Sequence, residues 1–207
     1  MRNHTMKTFV SLNLAAGAVL LILSGCASQR TRYVDSNSSR TVVNTTKINM
    51  QDWNMAAEDL IKKMQDEFIN SGKLQSADGP GRPSVMAISR IVNNTGQQID
   101  IDLLVKRIRI ALQQTDKVYT DVTGGLGGAE DPLSDAWKRQ DIFKNGGKVR
   151  PPDYTLSGKI IEDRQRAGRT REVTYVFQLS LASHDGLAVW EGEKTITKQG
   201  NKPSVGW

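Results

Sequence analysis

The chain predicts an α+β fold, a small mixed β-sheet with helices packed on one face, and three observations carry that prediction. Apolar residues recur at helical spacing in the first half, from Trp53 to Phe68 and again from Ile101 to Leu112. In the last third they alternate instead, at Val173, Tyr175, Phe177, Leu179 and Leu181, which is the period of a strand with one buried face. Helices come first and a β-meander last, so the helices can cover one side of a sheet. A length of 207 residues suits one domain of ordinary size with extensions.

The first extension is residues 1–25. "MRNHTMK" supplies two basic residues and "TFVSLNLAAGAVLLIL" follows without charge, the n-region and h-region of a signal peptide. A transmembrane anchor is the competing reading. Ser11 and Asn13 interrupt the apolar run, which falls short of the roughly 20 residues a span requires.

Cys26, the sole cysteine, follows at once. A lone thiol can be a nucleophile, a metal ligand, half of an intermolecular disulfide or an attachment point. A reactive thiol needs a folded, electropositive surround, and none precedes it. Leu23-Ser24-Gly25-Cys26 resembles the bacterial lipobox, in which small residues precede a cysteine that is alkylated and then becomes the mature N-terminus. That resemblance implies an N-palmitoyl, S-diacylglycerol cysteine at Cys26, whose several chains make a stable anchor. The next residue is Ala27 rather than the aspartate of inner-membrane retention, which implies an outer-membrane lipoprotein facing the periplasm.

Residues 26–50 read as a flexible tether, rich in Ser, Thr, Asn and Arg with no helical stripe. It would reach about 80 Å fully stretched and average about 25–30 Å relaxed. Folding is expected over 51–207. The first helix covers "DWNMAAEDLIKKMQDEFINSG", with Trp53, Ala56, Ala57, Leu60, Ile61, Met64 and Phe68 inward and Gly72 at its end. "PSVMAISRIVNN" reads as a covered strand. "IDIDLLVKRIRIALQQTDK" is a second helix capped by Asp100, with Ile101, Leu104, Val105, Ile108 and Leu112 buried and Lys106, Arg107 and Arg109 elsewhere. "VYTDV" is a short strand, "TGGLGGAEDP" a loop, and "LSDAWKRQDIFKNGG" a third helix ending at Gly146-Gly147. Three strands close the domain: "DYTLSGKIIED", a basic turn "RQRAGRTR", "EVTYVFQLSLAS", an Asp-Gly turn, and "LAVWEGEKTITKQG".

No catalytic constellation emerges. "TGGLGG" lacks the Lys-Ser/Thr of a phosphate loop and misses the G-x-G-x-x-G spacing. His184 beside Asp185-Gly186 reads as a turn residue. One mature histidine and a lipidated cysteine make no metal site, and no cofactor is implied. Glu162-Asp163, Glu191 and Glu193 read as a strand end and a solvated face rather than the opposed pair of a glycosidase. The serine-nucleophile motifs are missing too. The charge of +6 includes Arg2 and Lys7; without them 26 of the 28 basic side chains face 22 acidic ones, a net of +4. That excess is spread along the chain, without the basic patch and stacking aromatics of a nucleic-acid binder.

What remains is a surface. Arg164, Arg166, Arg169 and Arg171 crowd one hairpin tip. They can be a solubilising loop that guards the sheet edge or a partner-binding site, since the guanidinium fork pairs carboxylates bidentately.

"RPSVMAISRIVNNTGQQIDIDLLVKRIRIALQQTDKV", "DYTLSGKIIEDRQ" and "VTYVFQLSLASHDGLAVWEGEKTITK", together with the lipobox, resemble the LpoB family over about residues 50 to 200. Its most specific parts are the strand-Asn-Asn-Thr-helix segment and the D-Y-x-L-S-G-K strand. The resemblance implies an outer-membrane lipoprotein that binds and activates a bifunctional penicillin-binding protein and so stimulates peptidoglycan synthesis. It implies a domain like the N-terminal domain of TolB, a monomer, and no enzymatic activity of its own. The better-known members carry a long, proline-rich tether, whereas this one is short and has no proline before Pro80. A curli-secretion-like lipoprotein of an export assembly is the alternative. It would need further hairpins alternating over about ten residues to build a barrel.

Overall fold

Helix α1 spans Met50–Met64 and runs on through a π-helical turn, Gln65–Ile69. Its seven expected inward residues, Trp53 through Phe68, are all buried. The chain leaves it through Gly72, whose φ of +82° suits glycine. The computed structural model describes residues 33–35, 38, 43, 44, 46–123, 131–147 and 150–201. Cys26, the leader and most of the glycine-rich loop lie outside them. The chain separates into residues 1–35 and 36–207, and the elements named here belong to the second unit.

Strand β1 (Ser84–Asn94) leads into α2 (Ile101–Gln113), whose N-cap Asp100 accepts a hydrogen bond from the Leu103 N–H at 3.3 Å. Strand β2 (Val118–Asp121) returns parallel to β1, a crossover that only a helix-length connection permits. Helix α3 (Pro132–Lys144) follows, then β3 (Tyr154–Ala167), β4 (Thr170–Ser183) and β5 (Ala188–Asn201). The sheet order is β2-β1-β3-β4-β5. The β1–β2 and β1–β3 pairs are parallel and the β3–β4–β5 meander is antiparallel, so the sheet is mixed. The α+β class and the alternation of β4 stand as expected: Val173, Tyr175, Phe177, Leu179 and Leu181 are all buried.

The core joins the inner face of the sheet to α1 and α2. Trp53 meets Phe177 edge-on at 5.8 Å, and Phe68 meets Tyr154 at 5.4 Å. On β5, Trp190 donates its indole N–H to Glu67 at 2.8 Å, which ties the edge strand to the π-turn. Gly158 and Gly192 allow two close approaches. A Cβ on Gly158 would lie 2.7 Å from the Gln178 carbonyl, and one on Gly192 would lie 2.5 Å from the Trp190 ring. The β1 ladder shifts register between Ile88 and Ile91, opposite Gly158, as a bulge does.

Three expectations need correction. Strand β3 does not stop at Asp163. It runs to Ala167, so the basic turn shrinks to Gly168-Arg169, with Gly168 at φ +58° as the first residue of a tight two-residue turn. Arg109, which the helical stripe leaves out, is buried. It lies one row over, four residues after Val105 and three before Leu112, where an aliphatic stem can cover apolar surface. Asn44, Lys47 and Ile48, which the sequence reading puts in the tether, are bonded to β5 and to the β1–α2 loop. Lys198 Nζ donates to the Asn44 carbonyl at 3.1 Å and the Lys47 carbonyl at 2.8 Å, and the Ile48 N–H donates to Gln97 Oε1 at 3.1 Å.

Helix α3 is the exception to the layered packing, for none of its residues is buried. Asp131 caps it, accepting from the Leu133 and Ser134 N–H groups at 3.0 and 3.4 Å. Lys138 ties it to Asp121 at 2.8 Å and to Thr123 at 2.7 Å. Among the described residues no helix is long and apolar enough to cross a membrane.

Candidate partner-docking end of the sheet

The β3–β4 hairpin carries the four arginines, and its ladder fixes where they point. Residues directly opposite in an antiparallel ladder share a face. Ile160 pairs with Phe177, Glu162 with Tyr175, Arg164 with Val173 and Arg166 with Arg171. Arg164, Arg166 and Arg171 therefore extend the inner, helix-covered face past the end of the core. Arg169 sits in the turn itself. The structure brings three of the four expected residues onto one face and sets the fourth at the tip. Like charges directly opposite, as Arg166 and Arg171 are, disfavour the ladder, so stability does not account for that pair.

Arg164 differs from the others. Its Nε donates to the Glu162 carboxylate, whose side chain is only 4% exposed. Glu162 also accepts the Gly96 N–H at 2.6 Å. Hydrogen bonding to Glu162 raises the Arg164 pKa further above its ordinary value. Glu162-Asp163 is therefore not a strand end, since β3 runs on to Ala167, and Glu162 is shielded from solvent and anchors the β1–α2 loop. Arg166 donates to the Gly168 carbonyl at 3.3 Å. Arg169 and Arg171 have no carboxylate within ion-pair distance among the described residues.

The β1–α2 loop closes the same end. Asn93 Oδ1 accepts from the Thr95 N–H at 3.1 Å and the Thr95 hydroxyl at 2.7 Å, and Asn93 Nδ2 donates to the Gln97 carbonyl at 2.8 Å. This is an Asx-type turn, and it accounts for the Asn-Asn-Thr segment. Gln97 Nε2 then donates to the Tyr175 hydroxyl at 2.7 Å, and that hydroxyl donates to the Thr46 carbonyl at 3.3 Å. Burial, with the nearby Glu162 charge, raises the Tyr175 pKa above its ordinary value. One polar network therefore joins the hairpin, the loop and the segment by which the chain enters the domain. Sequence reasoning missed Glu162, Gln97 and Lys198, because nothing in a linear pattern places them beside one another.

The residues weighed for chemistry lie apart. His184 is exposed in the β4–β5 turn, 2.9 Å from Asp185. Glu191 and Glu193 face solvent from β5, bonded to Ser180 at 3.0 Å and Gln178 at 2.8 Å. Among the described residues no group of three or more His, Cys, Asp or Glu side chains could hold a metal ion.

A family profile described as peptidoglycan-synthase activator LpoB matches residues 52–196, well over half of the chain. Among curated proteins no sequence match is found. Among solved structures, the LpoB C-terminal domain from Salmonella enterica is 21% identical, with 70% of this chain and 98% of that one covered and a TM-score of 0.40. The LpoB C-terminal domain from Escherichia coli is 20% identical over 70% and 98%, with a TM-score of 0.41. Lipoprotein GNA1162 from Neisseria meningitidis is 14% identical over 59% and 88%, with a TM-score of 0.35.

Proposed function

This chain belongs to the LpoB family of peptidoglycan-synthase activators, and we propose that it binds a bifunctional penicillin-binding protein and stimulates its synthesis of peptidoglycan. The observation that carries this reading is the family match across residues 52–196. The chain works by contact rather than by chemistry, as a regulator that holds its partner in a faster state.

Cys26 carries the lipid in this reading and holds the protein at the outer membrane as a monomer. The tether from Cys26 lets the folded domain reach inward. Its bound end at Asn44 leaves a reach of about 60 Å fully stretched. The hairpin arginines supply a docking surface. Arg166, Arg169 and Arg171 remain available to carboxylates of the partner, whereas Arg164 holds Glu162. Charge-assisted pairs of this kind are the stronger sort of hydrogen bond.

A pull-down tests the reading. Immobilised residues 44–207, incubated with envelope extract, should retain a synthase that is then labelled by fluorescent penicillin. If no penicillin-binding protein is retained, the proposal fails.

A further inference from the structure

A second surface lies away from the hairpin, in the groove between α1 and α2. It encloses about 600 Å³, within the roughly 300–1,000 Å³ of sites that hold ligands. Its floor is apolar: Ala57, Ile61, Leu103, Ile110 and Ala111. Ile110 is 47% exposed, a large aliphatic side chain on the outer side of α2 that the fold leaves uncovered. Among the described residues that line it, the rim carries Lys62, Lys106 and Arg107 and one carboxylate, Glu58.

Two of those cations lack counter-ions. Among the described residues neither Lys62 nor Arg107 has a carboxylate within ion-pair distance. Glu58 lies one helical turn before Lys62, yet the two do not pair. Among the described residues Arg107 Nη2 donates to Met50 Sδ at 3.5 Å, and the Arg107 Nε–H is buried with no acceptor. A guanidinium donor withdrawn from water and unmatched costs free energy until an acceptor arrives. A carboxylate entering the groove would give the Arg107 guanidinium a counter-ion, bound as Arg binds carboxylates. Gln65 Nε2 donates to the Ala111 carbonyl at 3.3 Å and links the two helices at the groove.

We propose that the α1–α2 groove is a docking site for an acidic peptide segment of a partner protein, with apolar side chains on the floor and carboxylates against Arg107 and Lys62. The size fits a few side chains rather than a folded surface. This site does not depend on the hairpin or on the proposed synthase.

The test uses a short blocked peptide alternating glutamate with leucine, and the same peptide with glutamine at each acidic place. Each is titrated into the isotope-labelled full chain in detergent. Amide shifts should gather at Ile61, Gln65, Ile110 and Gln114. The glutamine peptide should bind at least tenfold more weakly, and so should the acidic peptide to Arg107→Glu or Lys62→Glu. Arg107→Gln serves in place of Arg107→Glu should reversal disturb folding. Binding should weaken as salt rises. Equal binding of both peptides, shifts spread outside the groove, or no binding at millimolar peptide would overturn the proposal. A concentration-dependent dimer broken by Arg107→Glu would also overturn it, in favour of a second copy as occupant.

Discussion

Lys198 on β5 and Asp52 on α1 form an ion pair with both side chains buried, 8% and 3% exposed. The ammonium also donates to the Asn44 and Lys47 carbonyls and lies 5.9 Å from the centre of the Tyr175 ring. Asp52 in turn accepts the Asn49 N–H at 2.8 Å. The pair and its bonds therefore hold Asn44, Lys47 and Asn49 against β5 and the start of α1.

Removing one partner of a buried pair leaves the other charge uncompensated and typically costs about 3–5 kcal/mol. Lys198→Met should lower stability by that order in urea unfolding. It should also expose the amides of residues 46–49 to exchange. The double variant Lys198→Met/Asp52→Leu should recover much of the loss, because no lone charge then remains. Unchanged exchange at residues 46–49 would mean that Lys198 does not hold the segment.

Gly158→Ala should destabilise the domain by about 1–3 kcal/mol, since its Cβ would meet the Gln178 carbonyl of β4, a backbone atom that cannot step aside. A thermal melt of the variant checks this. A melting temperature equal to that of the wild type would mean that the strands can separate without cost.

Asp121 is held below its ordinary value of 3.8: burial alone would raise it, but hydrogen bonds from Lys138 and Thr123 outweigh that. A carboxylate depressed on folding contributes stability above its unfolded pKa and loses it as pH falls through the folded one. Helix α3 has no buried residue and hangs on this contact, so it should loosen below about pH 4 while the sheet persists. Trp137, 62% exposed on α3, can report the change by fluorescence anisotropy. Asp121→Asn should be loose already at neutral pH. A helix equally ordered at pH 3 and pH 7 would contradict this.

In the proposed function the segment from Cys26 to Val43 is the tether, and its reach is short. Deleting Arg32 to Val43 spares Asn44 and the Lys198 network, so folding and binding in solution should persist. Activity in cells should fall, because the domain could no longer reach inward. Insertion of a comparable flexible segment should be tolerated, since loop entropy grows slowly with length. A fully active deletion would place the partner at the outer membrane.

The periodic elements were legible in the sequence because burial imposes periodicity. The stripe of α1 and the alternation of β4 each name their buried face directly. The D-Y-x-L-S-G-K strand stood out without its reason, which the structure supplies. Asp153 accepts the Ala77 and Val85 N–H groups at 3.1 and 2.8 Å, and Gly158 admits the neighbouring strand. The hairpin length was misread because arginines spaced around a glycine resemble a turn, and only the ladder reveals that most of them are strand. The Lys198–Asp52 pair could not be read at all. Its partners are far apart in the chain, and each alone looks like an ordinary surface charge.

The most direct measurement adds the full-length chain, in detergent, to a purified bifunctional penicillin-binding protein and follows glycan polymerisation. The wild type should raise the synthase's rate. Replacing Arg166, Arg169 and Arg171 with serine should abolish the gain with little loss of stability, and Arg164 is left in place to hold Glu162. Truncating one partner of a charge pair that becomes buried and hydrogen-bonded at an interface typically costs about 2–5 kcal/mol of binding. A synthase that binds the chain and speeds up supports the account, and one whose rate the wild-type chain leaves unchanged contradicts it.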